Sequence, residues 1–464
     1  MDIFDLVLTP VYLVFIYLIA LAFRKKATTP VTQKYYVPAL TVKLVGAIAL
    51  GIIYQFYYGG GRPSGDTFAY FTHVKIILQA FSDSPLAGVK LLFASGEFDN
   101  ATYQYAARME WYHAPTEYFV VKTATFFGLI TFGTYTAIAL FFALISFSGM
   151  WAMYLTFLKL YPRLHKEFAI AIFFLPSVFF WGSGILKDTL TIGALGWLFY
   201  GFYRGTIEKK NILSSIILIL ISAYVIKTVK IYVLLAFLPP AILWIFAENS
   251  RRIRNKGLRL LLLPLLLSIG AVVAYFGATR LTAGDTRYDI DHIGERTKIN
   301  AEYLYNLTVQ QQGSAYSIGE FDGSIGSMLK VAPQAVIVSL FRPFLWEARN
   351  PVMLLSALEA FLFLYLTITL FYKTGLKRSF KFISSKPIVT FCFVYALVLA
   401  FAVGTNSFNF GTLVRYKIPL MPFYLSALYM MQANIREPEK VIQKIKRIKR
   451  PSPKPFRPIP VFSR

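Results

Sequence analysis

A chain of 464 residues that is 56% hydrophobic, 17% aromatic and only 15% charged, with a mean hydropathy of +0.55, is too apolar for a soluble domain and reads as an all-α, polytopic integral membrane protein. The net charge of +25 does not make it a nucleic-acid binder, because the Lys and Arg residues lie between apolar stretches and in the C-terminal tail, with no basic groove of interleaved aromatics. The single cysteine, Cys392, lies in an apolar run and excludes disulfides and thiolate metal sites.

The chain opens Met1-Asp2-Ile3-Phe4-Asp5, without the basic stretch and small-residue cleavage site of a signal peptide, so the first apolar segment is expected to remain as a span. Windows of about 20 mostly apolar residues centre near residues 14, 48, 146, 174, 197, 219, 239, 269, 361, 395 and 425. They predict about eleven transmembrane helices, several short or interrupted, in a helical domain over residues 1–432. Basic loops alternate along that order: Arg24-Lys25-Lys26, Arg163 to Lys166, Arg204 to Lys210, Arg251 to Arg259 and Lys373 to Lys386. With the basic, Pro-rich tail over 433–464 they mark the cytoplasmic face, so the N-terminus is expected outside and the C-terminus inside. The loops near 59–118, 181–188, 227–230, 279–350 and 404–417 then belong to the outer face of a cytoplasmic membrane.

Two outer loops are long, 59–118 and 279–350. In the first, Phe68, Phe71, Val74, Ile77, Leu78 and Phe81 recur at helical spacing, which predicts an amphipathic interfacial helix. The second is rich in Gly, Gln, Asn and Tyr and reads as a mobile cover over a site. The tail from Arg447 to Arg464 carries five prolines and cannot be regular helix. No inverted internal repeat of the transporter kind is visible.

The polar clusters share the outer side. They are Gly65-Asp66-Thr67-Phe68-Ala69-Tyr70, Trp181 to Asp188, Lys227-Thr228-Val229-Lys230, Phe341-Arg342-Pro343-Phe344-Leu345-Trp346-Glu347 and Arg415-Tyr416-Lys417-Ile418-Pro419. Ionisable groups at membrane depth cost several kcal/mol unless paired or hydrated, so they tend to line a functional cavity. Lys187, Lys227, Lys230, Arg342, Arg415 and Lys417 are the cations that an anionic headgroup such as a phosphate or diphosphate needs, with Tyr70, Asp188, Trp346, Glu347 and Tyr416 as supporting residues. Asp66 follows a Gly-rich turn and begins a helix, where it serves either as a helix cap or as a general base. Lys187-Asp188 reads equally as an intramembrane ion pair, Lys227 and Lys230 as side chains reaching for headgroups, and Trp346 as an aromatic-belt anchor. His73, His113, His165 and His292 lack metal-ligand spacing, and no metal ligands are assigned. Asn100-Ala101-Thr102 and Asn306-Leu307-Thr308 fit the glycosylation sequon, a pattern common by chance.

The Asp66 position and the stretch Arg415-Tyr416-Lys417-Ile418-Pro419-Leu420-Met421-Pro422 resemble the membrane-embedded glycosyltransferases of the GT-C kind, which use polyprenyl-phosphate-linked sugars. The segments Leu175 to Asp188 and Phe341 to Glu347 look like features of membrane proteins of exopolysaccharide assembly. The resemblance covers the topology of most of the chain and motifs at three or four places. It departs from the family's pattern in having a span before the presumed catalytic loop and Thr67 where a second acid is frequent. It implies transfer of a sugar from a polyprenyl phosphate or diphosphate to a lipid or glycan acceptor at the outer face of a bacterial inner membrane. Asp66 would act as base, the cations would hold the leaving group, and Gly284 to Gly326 would close over the sugar. No cofactor is expected, and a divalent metal is left open. Other readings are an O-antigen or exopolysaccharide polymerase, a lipid-linked-sugar flippase or transporter, and a non-enzymatic membrane subunit. The apolar central spans (Phe173 to Phe180, Ile212 to Ile221, Leu260 to Leu267) argue against a translocation path.

Overall fold

The computed structural model describes residues 3–250, 293–310, 313–319 and 322–448, with backbone alone from 436 onward. The expected span near 269, the basic stretch Arg251 to Arg259, His292, the start of the covering loop at Gly284 and the proline-rich end of the tail lie outside the described residues. Among the described residues all regular structure is helical, apart from one isolated bridge between Ala315 and Asn409. Among the described residues, six helices are long and apolar enough to cross a bilayer. They are α1 (Ile3–Ala27), α2 (Gln33–Ile52, continued by a π turn to Tyr57), α7 (Tyr135–Leu160), α11 (Ile212–Ser250), α14 (Pro351–Thr374) and α16 (Pro387–Ser407).

The expected windows near 174 and 197 correspond to shorter helices. Pro176 cannot donate a helical hydrogen bond, so the first breaks into α8 (His165–Phe173) and α9 (Pro176–Trp181), with Leu175 extended between them. The second is α10 (Lys187–Phe202), nearly all of which is buried. It approaches α7 backbone to backbone: a Cβ on Gly149 would lie 1.8 Å from the Gly193 carbonyl oxygen, and one on Gly196 2.0 Å from that of Gly149. Small residues permit this contact, as they do between helices in lipid, where dispersion replaces the hydrophobic effect as the driving force.

The windows near 219 and 239 fall in the single helical segment α11, but Lys230 leaves helical geometry there (φ −149°, ψ 74°). In an unbroken helix residues 219 and 244 would be about 38 Å apart. Yet Gly201 abuts Ile219, while the rings of Phe202 and Trp244 are 5.8 Å apart, both at the C-terminal end of α10. The chain therefore folds back at Lys230, and the two halves of α11 return to the same end of α10. The turn expected at 227–230 is one distorted residue and not a loop.

Both segments expected as long outer loops hold more helix than their sequence pattern announces. The first contains the expected interfacial helix, α3 (Gly65–Asp83), whose Phe68, Phe71, Val74 and Ile77 are buried, then α4 (Pro85–Phe93) and α5 (Tyr103–Ala106). It ends in an unexpected 16-residue helix, α6 (Pro115–Ile130), which packs on α3 and α11. The second holds α12 (Ile293–Gln310), packed against α16, and the apolar α13 (Ile325–Phe341). The segment expected as a covering loop is thus in large part helical among its described residues. Further along, α15 (Leu376–Ser385) is a short basic helix, and beyond α17 (Phe410–Tyr416) α18 (Met421–Ile448) runs past residue 432 into the expected tail. At the periphery α1 has only 11% of its most apolar window buried, against 72% for α7, so α1 faces lipid. It is tied to the bundle by Asp5, which accepts the Thr136 N–H at 2.7 Å and so caps α7 from a neighbouring helix.

Candidate functional site

The site begins where the chain leaves α2. The turn before α3 places Gly65 at φ +69°, with its α-carbon pressed on Tyr54, so that a Cβ would fall 2.3 Å from that ring. Only glycine meets both conditions, and the helix starts there. Ser64 is the residue at the cap position, and Asp66 sits inside the first turn, so the cap reading of Asp66 does not hold. Its carboxylate Oδ2 instead accepts an Arg415 Nη1–H at 2.9 Å.

Arg415 reaches two acids at once. Its Nη2 donates to Asp188 Oδ2 at 3.3 Å, and Lys230 Nζ donates to Asp188 Oδ1. The Arg415 guanidinium lies 5.6 Å from the Trp181 ring, and Lys230 Nζ lies 4.2 Å from that of Tyr416. The fold-back of α11 aims Lys230 inward, the helix break at 182–186 puts Asp188 in the first turn of α10, and α17 ends at Arg415 and Tyr416. Asp188 is fully buried and Lys230 is 5% exposed, whereas the Asp66 side chain remains 46% exposed. A dry bidentate bridge thus carries one accessible carboxylate at its rim.

Lys187 and Asp188 do not pair with each other. Adjacent helical residues point in different directions, so Lys187 turns to Glu117 of α6 at 2.8 Å. The break before them is held by Lys43, a wholly buried lysine of α2 whose Nζ donates to the Gly182 carbonyl. Tyr70 is buried one turn along from Asp66 with its ring 4.7 Å from that of Trp111. Burial pushes its phenol well above the ordinary range, with Asp66 and Glu117 acting in the same direction.

Beside this network lies a cavity of about 400 Å³, within the range of small-molecule sites. Lys187, Lys230 and Arg296 line it with no carboxylate, and Tyr232, Tyr303 and Tyr416 supply aromatic wall. Arg296, Asn300 and Tyr303 come from α12, and the Asn300 side-chain amide donates to Asn406 Oδ1 at 3.0 Å. Reading 279–350 as a loop hides these residues, and reading 59–118 as a loop hides the helix that carries Glu117. The spacing 296, 300, 303 is a helical stripe and was the available signal.

The remaining expected cations lie elsewhere. Arg342 pairs with Glu347 and lies 5.0 Å from the Phe410 ring. Lys417 Nζ donates to the Arg342 carbonyl at 2.8 Å. Burial pushes the Lys417 ammonium down to about 8, against the pull of Glu359. Glu359 is 5% exposed and accepts the backbone N–H of Ser177 at 2.9 Å. Lys227 is exposed and apart from the network, and Trp346 is 80% exposed and stacked on Phe344 at 4.8 Å. No known protein family, curated protein or solved structure matches the chain.

Proposed function

We propose that the chain is a membrane glycosyltransferase that takes a sugar from a polyprenyl phosphate or diphosphate and passes it to a lipid or glycan hydroxyl. The observation that carries the reading is the cavity lined by three cations and no carboxylate, linked to a partly exposed Asp66 through Lys230, Asp188 and Arg415. An anionic, amphiphilic donor fits such a space: the phosphate meets Lys187, Lys230 and Arg296, and the tyrosines and aliphatic wall meet its apolar part.

In the proposed reaction the acceptor oxygen bonds to the anomeric carbon while the bond from that carbon to the phosphate oxygen breaks. The bonding pair leaves with the phosphate, and Asp66 takes the acceptor proton. Arg415 orients Asp66 through its hydrogen bond. The cations stabilise the charge growing on the leaving phosphate, and they are already in place when it forms. The topology belongs to the same proposal: about eleven crossings, the site on the outer face of a bacterial inner membrane, and the basic end inside.

The test uses vesicles that contain the full chain and a radiolabelled mixture of polyprenyl-phosphate sugars. Label moving from the prenyl pool to a second lipid or glycan with wild type, and remaining in the pool with folded Asp66→Asn protein, is the expected outcome. Label that crosses the bilayer unchanged with both proteins would favour a flippase, and label that stays untouched with wild type would remove the transferase reading.

A further inference from the structure

The opposite end of α10 carries a second cavity that the transfer reaction does not use. At about 24 Å for 16 residues, the helix runs from Lys187 to a π turn at Tyr203–Ile207. There a cavity of about 410 Å³ is lined by Lys159 of α7 and by Tyr200, Arg204, Glu208, Lys210 and Asn211. Three cations face one acid. Glu208 is taken by Lys159, Arg204 Nη1 donates to the Tyr200 hydroxyl at 3.1 Å, and no carboxylate among the described residues pairs with Arg204 or Lys210.

The backbone here is unusual as well. The π turn widens the helix end, and Lys209 and Asn211 both lie in the left-handed region, at φ +58° and +47°. Single π turns and left-handed non-glycine residues cost energy and are held where the surroundings require them. This pair folds the chain so that the Lys210 N–H donates to the Arg204 carbonyl at 2.9 Å, which brings the two unpaired cations together at one rim. From that rim α11 starts with an exposed aliphatic stripe, Ile212, Leu213, Ile216, Ile217 and Leu220, between 46% and 74% exposed.

We propose that this cavity binds a phosphate group, held by Arg204 and Lys210 with the Tyr200 hydroxyl beside them, and that the group is the headgroup of an anionic lipid whose acyl chains lie along the stripe on α11. The arrangement is that of a bound amphiphile: cations meet the head, and bare aliphatic surface continues in the direction the tails must take. Free phosphate has the same head chemistry without the tails. Charge bias marks this face as cytoplasmic, where anionic headgroups are abundant. The site is independent of the transferase reading.

The experiment is native mass spectrometry of the full chain, released from bilayers of mixed phosphatidylglycerol and phosphatidylcholine. Wild type is compared with the double variant Arg204→Ala/Lys210→Ala and with Lys377→Ala/Lys381→Ala, which removes two cations of α15. Each of the two cations that hold the headgroup is worth roughly fivefold, so retention of the bound phosphatidylglycerol should fall about 25-fold in the first variant, whereas the α15 pair lines no part of the cavity and its loss should leave retention at the wild-type level. Melting curves with inorganic phosphate decide the source. Stabilisation by phosphate that the first variant loses, without lipid retention, supports the phosphate site and overturns the lipid as its source. Equal lipid retention and equal phosphate response in wild type and Arg204→Ala/Lys210→Ala would overturn the proposal. A variant that unfolds is replaced by Arg204→Gln/Lys210→Gln, which keeps side-chain volume, and the same readings apply.

Discussion

Two ionic clusters meet at the short turn between α17 and α18, and they are built to opposite ends. On one side Arg415 joins the buried Asp188 to an Asp66 whose side chain is 46% exposed, and a cation-lined cavity stands beside them. On the other, two residues along, Lys417 donates to the Arg342 carbonyl and feels the charge of Glu359, which closes the N-terminal turn of α9 through the Ser177 N–H. The second cluster satisfies backbone at a helix break, where unmet donors would cost energy in lipid. The first keeps charge accessible beside empty space, which a purely structural network has no reason to do. Similar residue types thus satisfy backbone in one place and leave a carboxylate accessible in the other.

The sharpest way to break this contrast is Asp66→Asn. If Asp66 is the proposed general base, its removal lowers turnover by about 10²–10⁴-fold, and because its side chain is partly exposed at the rim, the melting temperature should stay near that of wild type. A large loss of folded protein with unchanged turnover per molecule would put Asp66 in the same class as Glu359. Arg415→Ala is expected next in size and should fail in both respects. It strips the buried Asp188 of one partner, at about 3–5 kcal/mol for a broken buried pair, and leaves Asp66 unoriented. Arg415→Lys cannot span both acids, so it should recover folding more than turnover. A double-mutant cycle with Asp66→Asn checks whether the turnover losses share one cause.

What the sequence made legible follows the same division. Asp66, Lys187, Asp188, Lys230, Arg415 and Tyr416 were visible because charge at the end of an apolar run is conspicuous, and the structure brings them together. Their pairing was not visible. Lys187 and Asp188 are neighbours in the chain but diverge on α10, and the partner of Lys187, Glu117, lies 70 positions away. The fold-back at Lys230 was legible as two windows and two lysines, although a single distorted residue performs it. Helices α6 and α13 were missed because polar residues and a proline interrupt their apolar runs, Glu117 and Lys122 in the first and Lys330, Pro333 and Gln334 in the second, whereas α10 at a similar length is almost wholly apolar after its first turn. Helix α12 was missed for another reason: its Arg, Asn and Tyr stripe faces a cavity, so its inner face is polar and resembles a loop in composition.

On the structural side, Glu359→Gln should leave turnover per folded molecule unchanged and cost about 1–3 kcal/mol, the range for a buried polar group that loses a charged hydrogen bond. A drop in turnover matching that of Asp66→Asn would merge the two clusters into one site.

The smallest effect is expected from the proton on Lys417. Its folded value, about 8, lies below the ordinary lysine value of 10.5, so between those two pH values the unfolded chain binds more protons than the native one. Stability contributed by this group therefore rises with pH across that window, and below about pH 8 the full cost of a buried ammonium is present. Lys417→Met lacks the titration. The melting temperature of wild type minus that of Lys417→Met should accordingly increase from pH 8 to pH 10, at constant detergent and salt. A difference that stays flat or shrinks over that range would mean that Lys417 keeps its proton in the folded state. Glu359 would then outweigh burial, and the second cluster would be a fully charged pair like the first.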